Sequence, residues 1–308
     1  MENALHSAIK SVGQTAHTLA GMNPQLAGFY LRLYRALKWL PDGNWKQFVT
    51  NSLQTAKWPD INLAPGQVEL GRHVSARLVP HLYEFDFAAH FWRRMPYENE
   101  VSEWLAARSY DAVLEIGANI GFFTIFFAKL WPAAHIFSFE PSPAVYKRLL
   151  RNLELNACSN VQTFNCAVAS GAGFVEFFEP EGHLTNGSLL PGFAAQFSDK
   201  LVPTKVLTVG GPELAGLIPP GQKLLVKIDV EGAEPIVLRS LQPVIAAHKP
   251  DLVLEVLPTT VNELNSLDVF GGYRLFALTR QGAVERSRFE SGSTRDYAIL
   301  PAETPNLF

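Results

Sequence analysis

From about Tyr97 onward, short apolar runs alternate with helical segments, and this alternation constrains the fold more than any other feature. Strands buried on both faces read as unbroken apolar runs, and parallel neighbours need a crossover, usually a helix. The runs are AVLEIGA from Ala112, HIFSFEP from His135, VQTFNCAV from Val161, LLVKIDV from Leu224 and DLVLEVL from Asp251. YRLFAL from Tyr273 and YAIL from Tyr297 follow late in the chain. Between the runs, GFFTIFFAKL from Gly121, SPAVYKRLLRNLELN from Ser142 and EPIVLRSLQPVIAAH from Glu234 read as helices. The pattern predicts an α/β fold, a mostly parallel sheet with helices on both faces.

Two further strands, GFVEFF from Gly173 and KVLTV from Lys205, interrupt the rhythm and flank the loop EPEGHLTNGSLLPGF. An inserted hairpin around 171–210 is expected. A long loop in a compact domain is usually functional, and a substrate lid is the reading here. Residues 1–96 mix short helical patterns with Pro and Gly breaks and hold no glycine-rich loop, so they read as a mainly helical extension or cap before a domain at 97–308. Within them, Arg32, Arg35 and Lys38 recur every third residue beside Leu33, Leu37 and Leu40. A helix over 28–40 could lie on a membrane surface; packing on the core or on a second subunit is the preferred reading.

The charge balance, 26 basic against 29 acidic side chains, argues against a nucleic-acid partner, which needs clustered Lys and Arg. Two cysteines, Cys158 and Cys166, are too few for a disulfide framework. No signal-peptide pattern opens the chain and no apolar run is long enough to span a bilayer, so a cytoplasmic protein is expected.

The strongest local signal is LEIGANIGFF, Leu114 to Phe123. Gly117 permits a tight turn and, on this reading, the approach of a ligand, while Gly121 permits close helix–sheet packing. The turn offers backbone amides at the carboxyl ends of the strands, where open α/β sheets bind ligands. Dinucleotide folds want GxGxxG, whereas here Asn119 holds the middle position. Glu115, two residues before the first glycine, would repel a pyrophosphate but suits the cationic amino-acid end of S-adenosylmethionine. Glu140, 23 residues beyond Gly117, can accept hydrogen bonds from ribose hydroxyls. The third strand ends at Asn165-Cys166-Ala167-Val168, where small residues could read the adenine edge.

VKIDVEGAEP places Asp229, Glu231 and Glu234 at the end of the fourth strand. Three carboxylates this close raise one another's pKa and call for a cation nearby. The sulfonium or ammonium of the methyl donor would serve; a divalent metal is a third candidate, though no metal site is predicted. A carboxylate here could also be the general base for a hydroxyl acceptor, as could His183 in the inserted loop. Glu234 also suits the first turn of the following helix. His73, His81 and His90 read as structural. The Asn/Asp-Pro-Pro-Tyr of amine methylation is missing after the fourth strand, and no Pro-Cys of cytosine carbon methylation occurs, which favours an oxygen acceptor.

Together, LEIGANIGFFTIFFAK, FSFEPSPAVYKRLLRNLELN, NCAVAS and LLVKIDVEGAEPIVLRS resemble the FkbM family of methyltransferases over about Tyr97 to Leu257. The resemblance implies a Rossmann-like class I sheet of about seven strands, the last antiparallel, and S-adenosylmethionine-dependent O-methylation of a small molecule, sugar or glycan. It implies Glu115, Gly117, Ala118, Asn119 and Gly121 around the methionine moiety, Glu140 on the ribose, and Asp229 near the methyl donor. Tyr97-Glu98 matches a recurring upstream pair, which adds Glu98 to the cofactor set. Glu115 departs from the commoner Asp, and LTVGG from Leu207 lacks the acid of Thr-Leu-Asp, which puts a metal using it in doubt. An NAD-dependent oxidoreductase, which should show GxGxxG, and a non-catalytic S-adenosylmethionine-binding subunit, which should lose the acceptor-side carboxylates, are the alternatives.

Overall fold

The computed structural model describes residues 65–71, 74–81, 98–292 and 294–304. The segment 28–40, His73, His90, Tyr97 and most of the N-terminal extension lie outside the described residues. The chain divides into two units, Met1–Glu69 with Arg77–Pro96 and Leu70–Ala76 with Tyr97–Phe308. Strands β1 (Gly66–Gly71) and β2 (Val74–Leu78) form a small sheet of their own.

The second unit begins with helix α1 (Asn99–Ala106), β3 (Ala112–Ile116), α2 (Phe122–Leu130), β4 (His135–Phe139), α3 (Pro143–Asn156) and β5 (Val161–Phe164). The insertion follows as β6 (Ala167–Val168), β7 (Gly173–Pro180), α4 (Pro191–Ala194) and β8 (Leu201–Val209). After α5 (Gly211–Leu217) come β9 (Leu224–Ile228), α6 (Glu234–Ser240), α7 (Gln242–His248), β10 (Asp251–Glu255) and α8 (Val261–Leu264). Strands β11 (Tyr273–Thr279), β12 (Gly282–Arg286) and β13 (Asp296–Pro301) close the fold.

The main sheet runs β12-β11-β13-β10-β9-β3-β4-β5. Strands β10, β9, β3, β4 and β5 are parallel, and β13 is antiparallel to both of its neighbours. The sheet has eight strands rather than about seven. The extra one, β12, is an exposed polar edge strand paired with β11, and GAVER carries no apolar run to announce it. From β3 the chain proceeds outward through β4 and β5, then returns to β9 on the other side of β3. That reversal opens a crevice at the carboxyl ends of β3 and β9.

Burial explains the order. Every residue of β3 and β9 is buried, and Leu114, Ile116, Val226 and Ile228 join Val237, Leu238 and Val244 in one core. Each such aliphatic side chain contributes about 1.5–3 kcal/mol on burial. Helix α2 is apolar on nearly all sides and buried from Phe122 to Ala128. Helix α3 starts at a Ser142 cap whose Oγ accepts the Val145 N–H, with Pro143 in the first turn.

Two expected elements are divided. VQTFNCAV leaves the main sheet after Phe164, and Ala167-Val168 pair with Thr208-Val209 in a separate β6-β8-β7 sheet. Asn165 causes the break: its Nδ2 donates to the carbonyls of Glu140 and Pro141, at 2.8 and 3.0 Å, tying the chain to the neighbouring strand end. EPIVLRSLQPVIAAH splits into α6 and α7 at Leu241, because Pro243 fits only a first helical turn.

Candidate active site

The turn after β3 is built by backbone conformation. Gly117, Asn119 and Gly121 all have positive φ, at 90°, 51° and 90°. The N–H groups of Gly117 and Ala118 both donate to the Phe139 carbonyl at the tip of β4. A Cβ on Gly117 would overlap the carbonyl oxygen of Asp229. The close approach of the Asp229 carbonyl after β9 by itself requires a glycine at 117. Gly121 heads α2 in the left-handed region, and a Cβ there would meet Leu149 of α3 where packing against the sheet was expected. Asn119 accepts the Ile120 N–H on Oδ1 and donates from Nδ2 to the Thr185 carbonyl of the insertion, at 3.1 Å.

Two buried carboxylates flank this turn. Glu140 accepts the Asn119 N–H on Oε2 and the Ser142 N–H on Oε1, both at 2.9 Å. Glu115 accepts the hydroxyls of Thr124 and Ser138 on Oε2, at 2.6 and 2.7 Å. Burial lifts both to about 7, against the opposing pull of those hydrogen bonds. Glu179 of the insertion reaches the same region, accepting the hydroxyls of Ser142 and Thr204.

Across β3 the chemistry changes. Lys227, with a 4% exposed side chain, places Nζ 2.9 Å from Asp229 Oδ2 and 3.5 Å from Glu98 Oε2. The same ammonium lies 4.4 Å from the centre of the Phe123 ring. Burial disfavours this charge, yet Asp229 and Glu98 outweigh it and hold the ammonium above the usual lysine range. Glu234 is fully buried, accepts the Gly232 N–H at 2.9 Å, and is raised by burial to about 7. Its Oε2 has no hydrogen-bond partner among the described residues. Glu231, with φ 56°, Glu255 at the tip of β10 and Asp296 at the start of β13 are all pushed upward, first by burial and then by neighbouring acids. Arg295 approaches Glu255 at 3.8 Å from a half-exposed position.

The insertion touches both halves. Thr185 receives Asn119 on one side, and Ser188 Oγ donates to the Glu231 carbonyl at 2.8 Å on the other. Leu190 and Phe193 stand beside Gly232.

The structure thus pairs Glu98 and Asp229 with one lysine, sets Glu231 and Glu234 within electrostatic reach of Asp229, and brings Ala118, Asn119 and Glu140 together around one turn. His183 is exposed, its ring 6.3 Å from that of Phe197. Cys166 is buried, and burial raises its thiol to about 11. Ala167 stands in register with Thr208 within the second sheet. Lys227, Glu255 and Asp296 escaped the sequence reading; the lone Lys inside LLVKIDV was the available signal. Among the described residues, no group of three or more His, Cys, Asp or Glu side chains is placed to hold a metal ion, and no helix is long and apolar enough to cross a membrane.

This sheet order, with its reversed strand, glycine turn and acidic strand tips, defines a Rossmann-like methyltransferase fold. Residues 115–275, just over half of the chain, match the methyltransferase FkbM domain. The chain belongs to the FkbM methyltransferase family. It is 29% identical over 140 residues to methyltransferase sdnD of Sordaria araneosa, covering 45% of this chain and 49% of that one. It is 29% identical over 151 residues to methyltransferase 1 of Beauveria bassiana, covering 42% and 57%. The chain spans about half the length of these curated relatives. Solved structures that the chain matches include an FkbM methyltransferase from Methylobacillus flagellatus, 15% identical over 61% of this chain and 43% of that one, TM-score 0.38. Another is TYW2 of M. jannaschii in complex with AdoMet, 12% identical over 80% and 87%, TM-score 0.40.

Proposed function

We propose that this chain transfers a methyl group from S-adenosylmethionine to a hydroxyl of a small molecule, sugar or glycan. The observation that carries the reading is the excess of buried acid at the ends of β9, β10 and β13. Lys227 is ion-paired with Asp229 and Glu98; Glu231, Glu234, Glu255 and Asp296 are further acids within electrostatic reach of Asp229, and Glu234 leaves a buried oxygen unpartnered among the described residues. Such a set suits a positively charged ligand and opposes a pyrophosphate. That weighs against the oxidoreductase alternative, as does Asn119 in place of a middle glycine.

The residues fit the cofactor's parts. Glu140, already fixed by two N–H groups, keeps lone pairs for ribose hydroxyls. Glu98, Glu115 and Asp229 border the place for the methionine end, and Cys166 and Ala167 border the adenine. When bound, S-adenosylmethionine supplies an electrophilic methyl group on a sulfonium. The chain holds the acceptor at attack distance and takes its hydroxyl proton. Asp229 or Glu231 is assigned that proton, since both stand in the acidic cluster while His183 is exposed. No metal is assigned. The insertion serves as the lid, joined to both halves through Thr185 and Ser188.

Incubation with methyl-labelled donor and a panel of glycosides and hydroxylated metabolites tests this. An O-methylated product, lost in Asp229→Ala, is expected. Label on nitrogen or carbon would refute oxygen transfer, and retained turnover in the variant would remove Asp229 from the chemistry.

A further inference from the structure

Lys227 is an unusual residue for its place. It sits mid-strand in β9, between Val226 and Ile228, both fully buried. Its Cα is in register with Glu115 of β3 on one side and Val253 of β10 on the other. An ammonium there is costly unless it is paired, and it is paired twice, with Asp229 and with Glu98 just before α1. Phe123 of α2 presents its ring to the same charge. Glu115 and Asp296 also act on it, from β3 and β13.

We propose that Lys227 is a positioning residue that fixes Asp229 and Glu98 and limits their joint charge to one excess negative, matched to one cationic group of the ligand. The proposal rests on the S-adenosylmethionine reading for the identity of that cation. Its geometric basis does not: one buried ammonium bridges two carboxylates from different elements. Without the ammonium, two acids in a dry site cannot both stay charged, and one takes up a proton. Lys227 lets both carry their charge, so the ligand meets a prepared site rather than displacing that proton.

The proposal is tested by counting protons. S-adenosylhomocysteine, which keeps the amino-acid ammonium, is titrated calorimetrically at about pH 7 in buffers of different ionisation enthalpy. Glu115, Glu140, Glu231, Glu234, Glu255 and Asp296 all hold protons more firmly than usual and set the wild-type value, so the readout is the difference between variants. Lys227→Met should release up to one proton more than wild type on binding. Lys227→Arg should match wild type, and Lys227→Met combined with Glu98→Gln should return to it. Equal proton release in wild type and Lys227→Met overturns the proposal, as does a double variant that behaves like the single.

Should Lys227→Met fail to fold, the double variant, relieved of the second uncompensated acid, must be the more stable of the two; equal instability overturns the proposal. If the wild type binds no nucleoside, the cofactor reading falls instead, and the stability comparison of single and double variants still judges Lys227.

Discussion

The two sides of β3 treat their carboxylates differently. On the β4 side, Glu115 and Glu140 are each held by two hydrogen-bond donors of the protein, and Glu140 by backbone N–H groups alone. On the β9 side, Lys227 pairs with Asp229 and Glu98, and the charged neighbours of Glu231 and Glu255 are largely other acids, while Asp296 also faces Lys227 and Arg295. The first side is finished without a ligand and can only accept one that fits it. The second carries surplus charge, and its energetics change when a cation arrives. Scaffold and chemistry thus divide at a single strand.

The sharpest way to break this division is at its seam. Gly117→Ala would drive a Cβ into the Asp229 carbonyl at positive φ, disturbing both sides at once. A loss of about 3 kcal/mol or more, or failure to fold, is expected in denaturant titration. A loss below about 1 kcal/mol would show that β3 and β9 separate freely.

Next in size is Glu140→Gln, which keeps the volume but replaces an acceptor oxygen with a donor facing N–H groups. Cofactor affinity should fall about 10–100-fold. An unchanged dissociation constant would remove Glu140 from the ribose.

A smaller effect, shared by the two sides, is read through pH. Glu115, Glu140 and Glu234 stay protonated to about 7 in the folded protein, whereas an unfolded glutamate gives up its proton near 4.3. Between those values the folded state binds more protons, so its stability is greatest below that window and falls as pH rises through 7. The ligand-free protein should melt a few degrees higher at about pH 5.5 than at about pH 8. S-adenosylmethionine should narrow that gap by raising the melting temperature more at the higher pH. A melting temperature that climbs with pH instead would contradict the buried acids on both sides.

The smallest effect lies far from either. Phe174 on β7 is 66% exposed and pairs with the 53% exposed Leu207. Phe174→Ser should change stability by no more than about 0.5 kcal/mol and leave cofactor affinity unaltered.

Much of the β4 side could be read from residues alone, because its signals are local: an apolar run, two glycines four apart, and a strand-tip acid. The packing partners of those glycines could not, since Asp229 and Leu149 are distant in sequence from what they touch. The acidic side was only partly legible. Asp229, Glu231 and Glu234 announce themselves in one motif, but Glu255 and Asp296 join them through the pairing of β10 with β13. Edge strand β12, short, exposed and without an apolar run, gave pattern reading nothing to detect, and the side chain of Asn165 ended β5 earlier than its apolar composition suggested.

Calorimetric titration of the intact chain with S-adenosylmethionine, and separately with NAD, weighs the surplus negative charge most directly. Saturable binding of the sulfonium nucleoside in the micromolar range, roughly −8 kcal/mol, with no heat from NAD, is the expected result. Binding of NAD with none of the sulfonium compound would mean that the acids beyond β3 do not await a cation.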